Sequence, residues 1–152
     1  MDDFELEKRL KLLQAVDFFS PFTMDELAEV LKCGAIKKYA AHEYVIKEDA
    51  VDACFYVILK GKVMIIKESD TKRRKVKIAN LSAGDVFGEM AMLLDGHRSA
   101  SVMAAMECFA FAADGQAIGR LTCDTQLKFI RQVAKYMAQK LKNQSKALVE
   151  AF

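Results

Sequence analysis

Proline is nearly missing from this chain and glycine is scarce, with one Pro and seven Gly in 152 residues. Too little of either is present for a flexible linker or a disordered tail. Charge of one sign is missing as well. Lys and Arg number 23 against 21 Asp and Glu, which leaves +2. So even a balance offers no electrostatic footing for direct nucleic-acid binding by the chain. No apolar run reaches the length of a membrane span, and Met1-Asp2-Asp3 is acidic where a signal peptide is basic. The four cysteines, Cys33, Cys54, Cys108 and Cys123, have no CxxC spacing and no neighbouring His. They read as reduced, packed side chains of a cytoplasmic protein, with an iron–sulfur or haem sensor as the alternative.

What is present is ample core material. The chain is 53% hydrophobic and 29% charged, as expected of one soluble domain spanning 1–152. If that domain uses most of the length, a full effector domain has no room. Leu6, Leu10 and Leu13 mark one face of a first helix over Asp2 to Val16. Phe18-Phe19-Ser20-Pro21-Phe22 breaks it. Thr23 then caps a second helix to about Lys32, with Glu26 completing a capping box and Phe22 stapled against Leu27.

From Gly34 the period changes to short segments rich in Val, Ile, Tyr and Phe, at 43–47, 54–59, 62–67, 74–79 and 101–113. Turn signals lie at Lys60-Gly61, Ser69-Asp70, Ala83-Gly84-Asp85 and Asp95-Gly96. Many short strands without strand–helix alternation predict an all-β roll or barrel. After Leu121 the helical period returns. Leu127, Ile130, Ala134, Met137, Leu141, Gln144, Leu148 and Ala151 form a heptad seam in which Gln144 is the polar interruption. The chain thus divides into N-terminal helices at 1–33, a β-roll at 34–114 and C-terminal helices at 115–152.

The segment Phe87-Gly88-Glu89-Met90-Ala91-Met92-Leu93-Leu94-Asp95-Gly96-His97-Arg98-Ser99-Ala100-Ser101-Val102 reads as an anion site. Gly88 admits close approach of the backbone, and Met90 to Leu94 form a short helix whose N-terminal N–H groups attract phosphate. Arg98 brings a planar fork of donors and Ser99 a hydroxyl. Glu89 is an acceptor suited to a sugar hydroxyl. One cation fits a singly charged phosphodiester better than a triphosphate, which usually brings Lys and Mg²⁺.

This run, 87–102, resembles the phosphate-binding cassette of the cyclic nucleotide-binding domain family in Phe87, Gly88, Glu89, Ala91, Leu93 and Arg98 through Val102. Phe55 through Val63 resembles the family's hairpin, and Leu81-Ser82-Ala83-Gly84-Asp85 resembles the loop leading into the cassette. The resemblance implies a mainly β fold with flanking α: an eight-stranded antiparallel β-roll with N-terminal helices and a long C-terminal helix. It implies cAMP or cGMP as ligand, no cofactor and no catalysis. By position, Glu89 would accept from the ribose 2′-hydroxyl and Arg98 would pair with the cyclic phosphate. The Ser99 hydroxyl and backbone N–H groups near Gly88, Met90, Ala91 and Ala100 would complete the anion site. The chain departs from the pattern at Glu48-Asp49, where Gly is common, and at His97, where Pro is common; Asp tolerates a left-handed turn. In regulatory domains of this family, Thr after the Arg goes with cGMP, so Ser99 favours cAMP. The C-terminal helix resembles the dimerisation helix of the catabolite activator protein, which places Gln144 and Ser145 against adenine; the alternative is that Gln144, a polar residue in a seam, fixes the register of the paired helices.

The sharper readings have plainer rivals. Lys72-Arg73-Arg74-Lys75-Val76-Lys77 reads as a solvated hairpin rather than a nucleic-acid patch. His97 reads as an exposed loop residue rather than a pH sensor. Asp95 with Glu89 lacks the nucleophile or metal of a catalytic carboxylate pair. The leading expectation is a cytoplasmic cyclic-nucleotide sensor, homodimeric through its C-terminal helix and read by a downstream protein. Its rivals are a ligand-free roll used for dimerisation or docking, the sensor half of a catabolite-activator-type regulator, and the cytosolic domain of a channel.

Overall fold

The computed structural model describes residues 2–68, 74–94 and 96–151. The Ser69-Asp70 turn, Lys72-Arg73 of the basic run and Asp95 lie outside the described residues. Helix α1 (Asp3–Gln14) buries Leu10 and Leu13, and Asp2 caps it by accepting from the Glu5 N–H. The aromatic break is a 3-10 turn, Asp17–Phe19, with Phe18 and Phe19 fully buried. Helix α2 (Met24–Leu31) starts with the expected capping box. The Glu26 N–H donates to Thr23 Oγ1 at 3.2 Å and the Thr23 N–H donates to Glu26 Oε1 at 2.9 Å.

Eight strands follow. They are β1 (Gly34–Tyr39), β2 (Tyr44–Ile46), β3 (Cys54–Lys60), β4 (Lys62–Glu68), β5 (Lys75–Ser82), β6 (Val86–Phe87), β7 (Ser101–Ala104) and β8 (Cys108–Asp114). They make two antiparallel sheets, β1-β8-β3-β6 and β2-β7-β4-β5. Short helices α3 (Glu89–Leu93) and α4 (Gly115–Ile118) interrupt and end the roll, and α5 (Cys123–Ala151) closes the chain. The stretch read as one strand over 101–113 is two, because the chain turns between Ala104 and Cys108.

Strand β3 explains how the layers hold together. Phe55, Val57 and Leu59 face the helices, while Tyr56 and Ile58 face the roll interior. The period of two divides one continuous apolar run between two cores. Strand β8 does the same, with Phe111 and Ala113 on the helical side and Cys108, Ala110 and Ala112 inside. On the helical side, the Phe18 ring meets Phe55 at 5.5 Å and Phe129 of α5 at 5.4 Å. Buried Gln132 donates to the Phe18 carbonyl at 2.8 Å. The first half of α5 is therefore anchored through Thr125, Phe129, Gln132 and Val133. Most of the heptad seam lies off the docked face: Leu127, Ile130, Ala134, Leu141 and Leu148 are exposed, as is every residue from 141 to 150, while Met137 is half-buried against the helical-side core.

Candidate cyclic-nucleotide cleft

The cleft arises where β6 stops after two residues and the chain swings into α3. Tyr56 pairs with Phe87 across β3 and β6, and their rings stack 4.8 Å apart. Gly88 follows with φ +84°, a conformation that side-chain-bearing residues rarely adopt. A Cβ here would also stand 2.8 Å from Arg98 Nη1 and 2.8 Å from the Cys54 carbonyl oxygen. Glycine is needed at this position for both reasons. The first N–H groups of α3 have no partner within the helix.

Gly88, Glu89, Met90, Ala91, Arg98, Ser99 and Ala100 all line one cleft of ≈ 180 Å³. Its apolar wall follows from sheet register. Ile46 of β2 and Ile65 of β4 both pair with Val102 of β7, so the three stand in one row across the sheet. Gln144 and Ser145 are not in the cleft. They are exposed and lie beyond Lys140, which is the α5 residue lining it. The physical reason is helix phase: the docked face of α5 ends near Lys140, and the helix then runs on past the roll.

Arg98 is buried, and its guanidinium is held on several sides. It forms an ion pair with Asp52, and Nε also points to Asp52 Oδ2 at 3.4 Å. Nη2 donates to the Cys54 carbonyl at 2.7 Å and Nη1 to the Gly88 carbonyl at 3.3 Å. Tyr56 lies under it, 5.8 Å from the ring centroid. Burial pushes the Asp52 carboxyl up, but hydrogen bonds from Arg98 and the Cys54 N–H outweigh it and hold the group below its ordinary value. Asp52 went unnoticed in the sequence because it lies far from the cassette. What joins them is a short antiparallel contact. The Asp49 N–H donates to the Arg98 carbonyl at 3.0 Å, the Arg98 N–H to the Ala50 carbonyl at 3.1 Å, and Val51 bridges His97. Asp49 adopts φ 67°, so the position where Gly is common keeps its left-handed turn.

Glu89 is buried at the start of α3 and accepts from Lys140 Nζ at 2.8 Å. The same ammonium reaches the Val86 carbonyl at 3.4 Å. On the far rim, Lys67 donates to the Ser99 carbonyl and pairs with Glu48 at 3.3 Å, while the Glu48 N–H donates to Ser101 Oγ at 2.8 Å. Ser99 and His97 are exposed. All four cysteines are free, and among the described residues no three His, Cys, Asp or Glu side chains gather into a metal-holding group. Burial pushes the Cys33, Cys54 and Cys108 thiols up, as expected of packed rather than reactive groups. Among the described residues no helix is long and apolar enough to cross a membrane.

The two-sheet roll, the glycine-led short helix and the buried arginine make a cleft of the chemistry that suits a small anion. Comparison narrows this: the family described as cyclic nucleotide-binding domain matches residues 36–122, and the chain belongs to it. It is 34% identical over 95 residues to a cGMP-dependent 3′,5′-cGMP phosphodiesterase A of Dictyostelium discoideum, a match covering 62% of this chain and 10% of that protein. It is 33% identical over 100 residues to a cAMP-dependent protein kinase regulatory subunit of Blastocladiella emersonii, covering 66% of this chain and 25% of that one. The chain thus matches a quarter or less of these relatives' length. A solved cyclic nucleotide-binding domain from Methylobacillus flagellatus superposes with a TM-score of 0.79 at 21% identity, over 99% of this chain and 85% of that one, a likeness of fold.

Proposed function

We propose that the chain is a sensor that takes a cyclic 3′,5′-nucleotide into the cassette cleft and shifts α5 against the roll in response. The observation that carries this reading is the convergence of Glu89, Arg98 and the first turn of α3 on one cleft with an apolar wall. Arg98 pairs with the cyclic phosphate, joined by the N–H groups of Met90, Ala91 and Ala100 and the Ser99 hydroxyl. Glu89 accepts from the ribose hydroxyl, and the Ile46–Val102–Ile65 row offers the base an apolar surface. Ser99, standing where Thr would go with cGMP, supports cAMP over cGMP; of the two relatives, one is named for each nucleotide. The exposed seam of α5 pairs with a second copy, whose Gln144 and Ser145 then reach the base. The domain acts as a non-catalytic cytoplasmic regulator whose output is read by a separate protein.

One observation favours a second reading, a roll kept for dimerisation or docking. Arg98 is already paired with Asp52, and Glu89 with Lys140. Isothermal titration with cAMP and with cGMP, on the wild type and on Arg98→Ala, separates the two. A sensor binds, prefers cAMP, and weakens by about 10-fold or more when the charged donor is removed. Absence of heat and of any thermal shift at about millimolar nucleotide would sink the sensor reading.

A further inference from the structure

Lys67 of β4 and Glu48, two residues past β2, do not line the cleft, but both hold the segment that does. The Lys67 ammonium donates to the Ser99 carbonyl at 2.5 Å and pairs with the Glu48 carboxylate at 3.3 Å. The Glu48 N–H donates to Ser101 Oγ at 2.8 Å, and the Glu48 carboxylate accepts from the Glu68 N–H at 2.9 Å. The residues on either side of Ala100 are thus pinned, one by Glu48 directly and the other through Lys67. The Ser99–Ala100 peptide is trans, as every described peptide bond is. Its carbonyl and its N–H therefore leave opposite edges of one plane. Fixing the Ser99 carbonyl on an ammonium fixes the direction of the Ala100 N–H. That N–H meets no protein acceptor among the described residues, and Ala100 lines the cleft.

Resting on the nucleotide reading, we infer that Lys67 and Glu48 are positioning residues for the phosphate: Lys67 holds the Ser99 carbonyl so that the Ala100 N–H is aimed before ligand arrives, and Glu48 holds Lys67. Neither side chain touches the nucleotide. A cation on the carbonyl also polarises the peptide and strengthens its N–H as a donor. A donor fixed in advance loses little freedom when the anion binds. The same arrangement accounts for a carboxylate kept close to an anion site, where its charge alone would be unfavourable. Glu48 belongs to the Glu48-Asp49 pair, where the chain departs from the family pattern, so this support comes from outside the cassette motif.

The test begins with Lys67→Met in the full chain, which keeps an unbranched stem and removes the ammonium. The Lys67 side chain is 50% exposed, so the core does not depend on it. By isothermal titration cAMP binds this variant about 3- to 10-fold more weakly, and Lys67→Arg, which keeps the cation, recovers most of the affinity. Glu48→Gln supplies the sign that separates positioning from simple charge. By charge alone, removing a carboxylate near an anion tightens binding. By positioning, it weakens binding about 2- to 3-fold, and Lys67→Met costs less in the Glu48→Gln background than in the wild type. In NMR spectra of protein carrying isotope-labelled alanine and saturated with cAMP, the Ala100 amide proton moves downfield in the wild type and moves less in Lys67→Met. An unchanged Kd in Lys67→Met, tighter binding by Glu48→Gln, or an Ala100 shift that Lys67→Met leaves intact overturns the positioning role, while binding by the wild type keeps the nucleotide reading. No binding by the wild type overturns that reading, and the positioning role falls with it.

Discussion

At the scale of single residues, the shape of the cleft depends on Gly88. It combines a left-handed φ with close approach to both Arg98 and the start of β3. Gly88→Ala strains the backbone and pushes a methyl against the Cys54 carbonyl, which cannot swing away as a side-chain end could. The expected cost is about 1–3 kcal/mol of stability, with nucleotide affinity lost alongside it. Chemical denaturation and titration check the two effects separately. Unchanged stability in this variant would mean that the turn relaxes and that the geometry around Arg98 is softer than described. The same comparison shows what sequence could convey. Gly88, Glu89 and Arg98 were legible because they sit in one short motif. Asp52 and Lys140 were not, because an acid in a loop and a lysine on a helix look like solvated charge until the fold brings them to the cleft.

At the scale of elements, α2 and α5 are tied by the capping box itself. Glu26 accepts from the Thr23 N–H and also from Lys128 Nζ at 2.6 Å. Its neighbour Glu29 takes the Thr122 N–H at 2.9 Å and the Thr125 hydroxyl at 2.6 Å, which caps the start of α5. Led by the Lys128 hydrogen bond, these contacts lower the Glu26 carboxyl from its usual 4.5 to about 2. The Thr125 hydroxyl bond, with that from the Thr122 N–H, lowers Glu29 as well. A carboxylate whose folded value lies below its unfolded value stabilises fully above the unfolded one and fades as pH falls through the folded one. Stability should therefore drop between about pH 4.5 and pH 2. Glu26→Gln should melt lower than wild type at pH 7, and the two melting temperatures should converge as pH approaches 2. Thermal scans across this range decide it; a constant gap would mean that Glu26 contributes through packing instead.

At the scale of the whole molecule, the exposed part of the seam is where the proposed dimer is tested. Leu141 is 63% and Leu148 62% exposed, one heptad apart on a helix that has left the roll. Sedimentation of the wild type should show a dimer, and Leu141→Glu with Leu148→Glu should give a folded monomer, since neither side chain contributes to the core. A wild type that stays monomeric at high concentration would remove the dimer from the proposal. The order of helices, roll and long helix was readable from periodicity, because each change of period is sustained over many residues. Strand β6, only Val86 and Phe87, is too short to carry a period. Strand β1 hides its alternation behind Lys37 and Lys38. The seam was readable, but that most of it lies off the docked face was not. Phe129, Gln132 and Val133 show their role only against Phe18 and Phe55.

The stretch from 141 to 150 has a further consequence. A helical segment of that length without a packed side is marginal in water. Its order is then borrowed from whatever lies along it. In dilute solution its amide hydrogens should exchange with solvent quickly and its backbone should be open to proteases, while the roll stays protected. As concentration rises and copies meet, both signals should fade together. The end of α5 would then serve as a gauge of association, folding only as far as company allows.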